Sequence, residues 1–152
     1  MDLKGKVAVV TGASASVGRE FALEFARQGA RVVCAARRKD KLQETVNLIK
    51  AESGQAIYVV ADVTDQDQVT RLLEESLKTF GQVDILVNNA GVLSAVGATW
   101  DMDPQAWWRN VEINLFGVFL CSRTFLPHMI KRDTGVIINM DGGGGTPGPF
   151  VG

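Results

Sequence analysis

The sequence predicts an α/β domain in which one parallel sheet carries helices on both faces. Three observations lead there. Five short apolar runs are unbroken rather than alternating, as strands buried on both faces require. Segments of helical period separate them, so the chain reads β-α-β-α-β-α-β-α-β, and right-handed crossovers make that a doubly wound sheet. The chain's 152 residues, 46% of them hydrophobic, suffice for one domain with its own core.

The first run, Val7-Ala8-Val9-Val10, passes through a glycine-containing turn into a helix whose stripe is Phe21, Ala22, Phe25 and Ala26, with Gly29 at its stop. The second, Val32-Val33-Cys34-Ala35, precedes a helix carrying Leu42, Val46 and Ile49 and ending near Gly54. Ile57-Tyr58-Val59-Val60 is the third. Its helix carries Val69, Leu72, Leu73, Leu77 and Phe80, with Thr64 or Asp65 as cap and Gly81 as terminator. The fourth, Ile85-Leu86-Val87, ends in Asn88-Asn89-Ala90-Gly91.

Asp103-Pro104 then opens a long helical region, a cap residue followed by proline at the first helical position. A break is expected near Asn114 and an end near Arg132. The half from Leu115 to Leu126 is apolar on nearly every side, so it should be buried all round or pack against a partner. Pro127 need only bend it. The last run, Val136-Ile137-Ile138, empties into Asp141 and four consecutive glycines starting at Gly142.

Composition removes several classes of function. The net charge is -1 with both signs interspersed, and the longest basic cluster, Arg37-Arg38-Lys39, is short, so no nucleic-acid partner is expected. No apolar stretch reads as membrane-spanning, and the polar N-terminus lacks a signal-peptide core, so no membrane partner is expected. Cys34 and Cys121 form neither a metal spacing nor a disulfide framework. No metal site is expected, and the compartment expected is the reducing cytoplasm.

Thr11-Gly12-Ala13-Ser14-Ala15-Ser16-Val17-Gly18 joins the first strand to the first helix. At that point of an open α/β sheet a dinucleotide's pyrophosphate docks: glycines let the backbone approach, and the helix N-terminus offers free N–H groups. Residues 1–152 therefore read as one Rossmann-type dinucleotide-binding domain of about five strands.

The ordered set of Thr-Gly-x-x-x-x-x-Gly at Thr11 to Gly18, Asp62-Val63 after the third strand and Asn88-Asn89-Ala90-Gly91 resembles the short-chain dehydrogenase/reductase family. The resemblance runs the length of the chain. It implies that Gly12, Ser14, Val17 and Gly18 surround the cofactor's phosphate and ribose. By the same resemblance Asp62 bonds the adenine amino group and the Val63 backbone meets the ring. Asn89, Ala90 and Gly91 would line the adenine-side ribose and steady the central strands, and Asn114 would support a proton-relay water through a local kink. Ser16 departs from the family's glycine; it is expected to be tolerated if its φ is negative, with its hydroxyl in reach of a phosphate.

An acidic residue ending the second strand would bind the ribose hydroxyls of NAD and repel a 2′-phosphate. Here Ala36 stands at that position and Arg37 follows, a guanidinium suited to phosphate, with Ser14 as a further contact. NADP(H) is therefore favoured over NAD(H). The bland alternative makes Arg37 and Arg38 solvated loop charges.

The family's pair of serines, the second of which holds the substrate oxygen, aligns with Asp141 and Gly142, so that serine is absent. The one tyrosine, Tyr58, lies in the third strand, and no Tyr-x-x-x-Lys occurs. Asp141 is followed by glycines and by no lysine, so it is not expected to do acid/base work. His128 reads as a surface or helix-end residue, and Trp100, Trp107 and Trp108 as packing residues, with the lining of a substrate pocket as the alternative. The expectation is a domain incomplete at its C-terminal edge, the front portion of a longer NADP(H)-linked oxidoreductase. That enzyme would act on a small alcohol or carbonyl substrate as a homo-oligomer. The alternative is an inactive nucleotide-binding or scaffold protein that keeps the fold; a flavodoxin-like signalling domain lacks its aspartate cluster or flavin-phosphate loop.

Overall fold

The computed structural model describes residues 2–94 and 96–141. Five parallel strands form one sheet: β1 (Val7–Thr11), β2 (Arg31–Ala36), β3 (Gln55–Val60), β4 (Ile85–Asn88) and β5 (Val136–Asn139), in the order β3-β2-β1-β4-β5. Val9 pairs with Val33 on one side and Leu86 on the other, so β1 is central. Chain order reverses on either side of β1, which opens a crevice at the carboxyl ends of β1 and β4.

The unbroken apolar runs have a direct cause. On β1, Val7 and Val9 point into a core layer with Val69, Leu72 and Phe125, while Ala8 and Val10 point into the opposite layer with Ala22, Leu42, Val46 and Ile49. Helices α1 (Ser16–Arg27) and α2 (Lys39–Ala51) cover the second layer; α3 (Gln66–Phe80) covers the first. Asp65 caps α3, its side chain accepting from the Asp67 and Gln68 N–H groups, and Gly81 ends it in the left-handed conformation.

The long helical region is three pieces. After a short 3-10 turn, Thr99–Asp101, come α4 (Pro104–Val111), a π-helical turn (Glu112–Phe116) and α5 (Gly117–Lys131). Asp103 caps α4, and the expected break falls on Asn114 as a π-turn. Leu120, Cys121, Phe125 and Met129 are buried against the core, but Leu115, Phe119 and Ile130 are 67, 55 and 72% exposed. The segment is therefore not buried all round. Nor are the tryptophans core residues: Trp100, on the 3-10 turn, is 82% exposed, and Trp107 and Trp108 on α4, a helix with no buried residue, are about half exposed.

A second expectation needs correcting. Pro104–Lys131, 28 residues, is one helical segment long and apolar enough to cross a membrane by length and composition. Polar residues such as Arg109, Asn110 and Glu112 interrupt its apolar run, so no membrane-length apolar stretch stands out in the sequence. Its buried stripe is part of the sheet's core, as in a core helix of a folded domain.

At the opposite end of the sheet Asp84 organises the strand entries. Its Oδ2 accepts from the Val7 N–H at 2.8 Å and from Gln82, and its Oδ1 from Arg132 at 2.9 Å. Burial opposes ionisation there, but these donors outweigh it and hold the carboxyl below its ordinary range. Beside it the Val83 N–H donates to His128 Nε2 at 3.2 Å. Burial, then the nearby Arg132, lower the imidazole pKa below 6.5 despite the attraction of Asp84.

His128 is the sole histidine, so it alone titrates near neutrality among the side chains. The folded state prefers it neutral, and the unfolded chain binds its proton first. Stability is thus full above 6.5 and declines as pH falls through the lower folded value. Urea unfolding between pH 7.5 and about 5 should show that decline, and His128→Gln, which keeps an acceptor without titrating, should flatten it.

Candidate functional site

The crevice at the carboxyl ends of β1 to β4 is a cleft with a cavity volume of about 410 Å³. Gly12, Ser14, Ser16, Val17 and Gly18 form its floor. Arg37 and Arg38 stand at one wall, Asp62 and Val63 at the next, and Asn89, Ala90 and Gly91 close it. All eleven residues expected to bind cofactor thus meet in one place, joined by Arg38.

The floor is held by one buried hydroxyl. Thr11, 1% exposed, donates to the Val87 carbonyl at 3.2 Å and accepts from the N–H groups of Asn89 and Ala90, both at 3.0 Å. The Asn89 amide returns to the Thr11 carbonyl at 2.9 Å. The ends of β1 and β4 are thereby locked together. Gly12 takes φ +69°, open to glycine, and a Cβ on Gly18 would collide with the Gly12 carbonyl oxygen and the Asn89 amide. The glycines are needed for this close approach, and Asn89 steadies the central strands as expected.

Ser16 departs from its expectation. Its φ is +49°, so the condition of a negative φ is not met. The chain must swing from Ala15, with φ -165°, straight into α1, and that turn demands a left-handed residue. A Cβ there costs about 1–2 kcal/mol.

At the wall, Arg38 rather than Arg37 meets Ser14: Arg38 Nη2 donates to Ser14 Oγ at 3.2 Å. Arg37 leans instead toward Asp62, with Nη1 4.0 Å from Oδ2. Asp62 Oδ1 accepts from both Thr64 N, at 3.0 Å, and Thr64 Oγ1, at 2.8 Å, and Oδ2 from Arg109 at 3.2 Å. Burial opposes its ionisation, but the Thr64 bonds and Arg109 prevail and keep its pKa low.

Asn114 sits on the π-turn with its amide clamped to one backbone unit. Its Oδ1 accepts from Val92 N at 2.9 Å and its Nδ2 donates to Val92 O at 2.7 Å. The kink was expected; the clamp on the loop after β4 was not. Asp141 is exposed just after β5, and Gly142 lies outside the described residues. No group of three or more His, Cys, Asp or Glu placed to hold a metal ion exists among the described residues.

Sequence reasoning missed Thr11, Arg38 and Arg109. Thr11 carried a signal, a polar residue ending an all-apolar strand. Arg38 was visible only as part of a basic cluster, and Arg109 carried none, because its partner lies 47 positions away.

Strand order, glycine turn and cleft define a dinucleotide-binding α/β protein. The short chain dehydrogenase family profile matches residues 6–151, and the chain belongs to the short-chain dehydrogenase/reductase family. A short chain dehydrogenase of Pseudocercospora fijiensis is 39% identical over 140 residues, 91% of this chain and 45% of that protein. A metagenomic short-chain oxidoreductase solved with NADP is 36% identical, with a TM-score of 0.86 over 96% of this chain and 67% of that one. A Burkholderia phymatum short-chain dehydrogenase/reductase solved with NAD is also 36% identical, with a TM-score of 0.87 over 91% and 50%. The chain spans about half to three fifths of the length of the curated relatives it matches.

Thr11→Val keeps the shape but strands the Asn89 and Ala90 N–H groups, and should cost about 2–3 kcal/mol in urea unfolding. Ser16→Gly should raise stability by about 1 kcal/mol by removing the left-handed strain, seen as a higher Tm.

Proposed function

We propose that this chain is the cofactor-binding portion of an NADP(H)-dependent oxidoreductase that moves a hydride between the nicotinamide and an alcohol or carbonyl substrate. The observation that carries the reading is the pair Arg38–Ser14, 3.2 Å apart on the rim of the cleft, with Ala36 where a carboxylate would repel a 2′-phosphate. Together with Arg37, this rim offers two guanidinium groups and a hydroxyl to a dianion. The relatives solved with NADP and with NAD support a dinucleotide of either kind, so the preference rests on the rim alone.

In this reading the pyrophosphate lies over the N-terminus of α1, where free N–H groups and the helix dipole meet it. Asp62 accepts from the adenine amino group and the Val63 backbone meets the ring. Asn89, Ala90 and Gly91 border the ribose. Asn114 supports the relay water from the π-turn. When bound, the nicotinamide supplies the hydride chemistry. This chain's residues bind and orient the cofactor, and the acid/base pair of the whole protein would come from beyond the described residues. The exposed apolar face at Leu115, Phe119 and Ile130 supports a homo-oligomer, and the free, buried Cys34 and Cys121 suit a cytoplasmic setting.

Titration of the protein with NADPH and NADH, followed by nicotinamide fluorescence, tests the reading. NADPH should bind more tightly. Arg38→Ala and Arg37→Ala should each weaken NADPH about tenfold while NADH changes by less than about twofold. Equal losses for both cofactors would overturn the 2′-phosphate assignment.

A further inference from the structure

Among the described residues Asp62 is the one carboxylate lining the cleft, and its acceptor capacity is nearly spent. A carboxylate offers about four lone-pair sites. Among the described residues Oδ1 takes two donors, the N–H and hydroxyl of Thr64, and Oδ2 takes one, Arg109 Nη2 at 3.2 Å. Arg37 Nη1, at 4.0 Å from Oδ2, is too distant for a hydrogen bond. One lone pair on Oδ2 is left for a ligand.

Arg109 is itself fixed. Its Nη1 donates to Glu112 Oε2 at 3.2 Å and to Thr64 Oγ1 at 3.4 Å, and its side chain is 37% exposed. The same helical segment is bolted to the loop after β4: Asn110 Oδ1 accepts from Ser94 N and Ser94 Oγ at 3.0 and 2.7 Å, and Asn114 holds Val92. Arg109 thus acts on the Asp62 carboxylate from a braced support.

We infer that Arg109 is a positioning residue that makes Asp62 selective for a 6-aminopurine over a 6-oxopurine in the cofactor. The inference rests on the proposed reading, in which Asp62 meets the adenine. An ionised carboxylate only accepts, so it welcomes an amino N–H and repels a carbonyl oxygen. Arg109 contributes by geometry: it orients the carboxylate, ionised and so acceptor-only at neutral pH, and holds the remaining lone pair of Oδ2 in one direction. Without it the carboxylate can turn about Thr64, and water can satisfy Oδ2 in either orientation. Selectivity for the base should then fall, although the glycine turn and the arginine rim still bind the rest of the cofactor.

The test compares NADPH with its deaminated analogue, reduced nicotinamide hypoxanthine dinucleotide phosphate, in the unaltered protein and in Arg109→Met and Arg109→Lys. The unaltered protein should prefer the adenine cofactor by about tenfold or more. Arg109→Met should cut that ratio to within about threefold, mainly by loss of NADPH affinity, and Arg109→Lys should recover part of it. Circular dichroism confirms that each variant is folded. A parallel loss for both cofactors, with the ratio unchanged, would overturn the inference and leave Arg109 a brace between α4 and the β3 loop. If the unaltered protein bound NADPH and its analogue equally, the adenine assignment of Asp62 would fall and the inference with it; binding of neither would overturn the cofactor reading as a whole.

Discussion

The Thr11 hydroxyl is the point on which the cofactor cleft depends. A hydroxyl has one proton and two lone pairs, and all three are used: one on Val87, two on Asn89 and Ala90. In a site almost closed to water, the saturated hydroxyl ties the two strand ends just beyond the last ladder pair, Val10–Val87. The Asn89 amide, pinned by the same threonine, is what a side chain at Gly12 or Gly18 would strike. The turn, the helix start and the Asn-Asn-Ala-Gly loop therefore form one unit, and the positive φ at Ser16 is strain that this unit sustains.

The helical segment from Pro104 to Lys131 is the second support, and its faces do different work. Its polar residues, Arg109, Asn110 and Asn114, hold the loops after β3 and β4. A buried apolar stripe from Leu120 to Met129 fills the core, and the remaining apolar stripe stays exposed. The π-turn between α4 and α5 lets the polar face in its first half and the buried stripe in its second both be satisfied. That division also explains why composition alone would pass the segment as a membrane span.

Charge in the cleft is graded. Two arginines stand at the end of β2, and the Asp62 carboxylate stands beside them at the end of β3, close enough for Arg37 to lean toward it. In the proposed reading, a phosphate next to an amino-bearing base meets that sequence of charges. The opposite end of the sheet carries a separate polar cluster of Asp84, Arg132 and His128 that holds strand entries.

The sequence by itself determined the five strands, their parallel pairing and the glycine turn. Those depend on local patterns: unbroken apolar runs for strands such as Val7 to Val10, caps such as Asp65 and Asp103, and the terminator Gly81. The ordered motifs also named the cleft's lining, because turn residues sit where the turn is. Only the tertiary structure decided which arginine meets Ser14, where Ser16 sits in φ, what Asn114 grips, and that Arg109 reaches Asp62. Each is a meeting of segments far apart in the chain or a dihedral set by such a meeting. One-dimensional periodicity records which face a residue takes, not which distant atom it touches there.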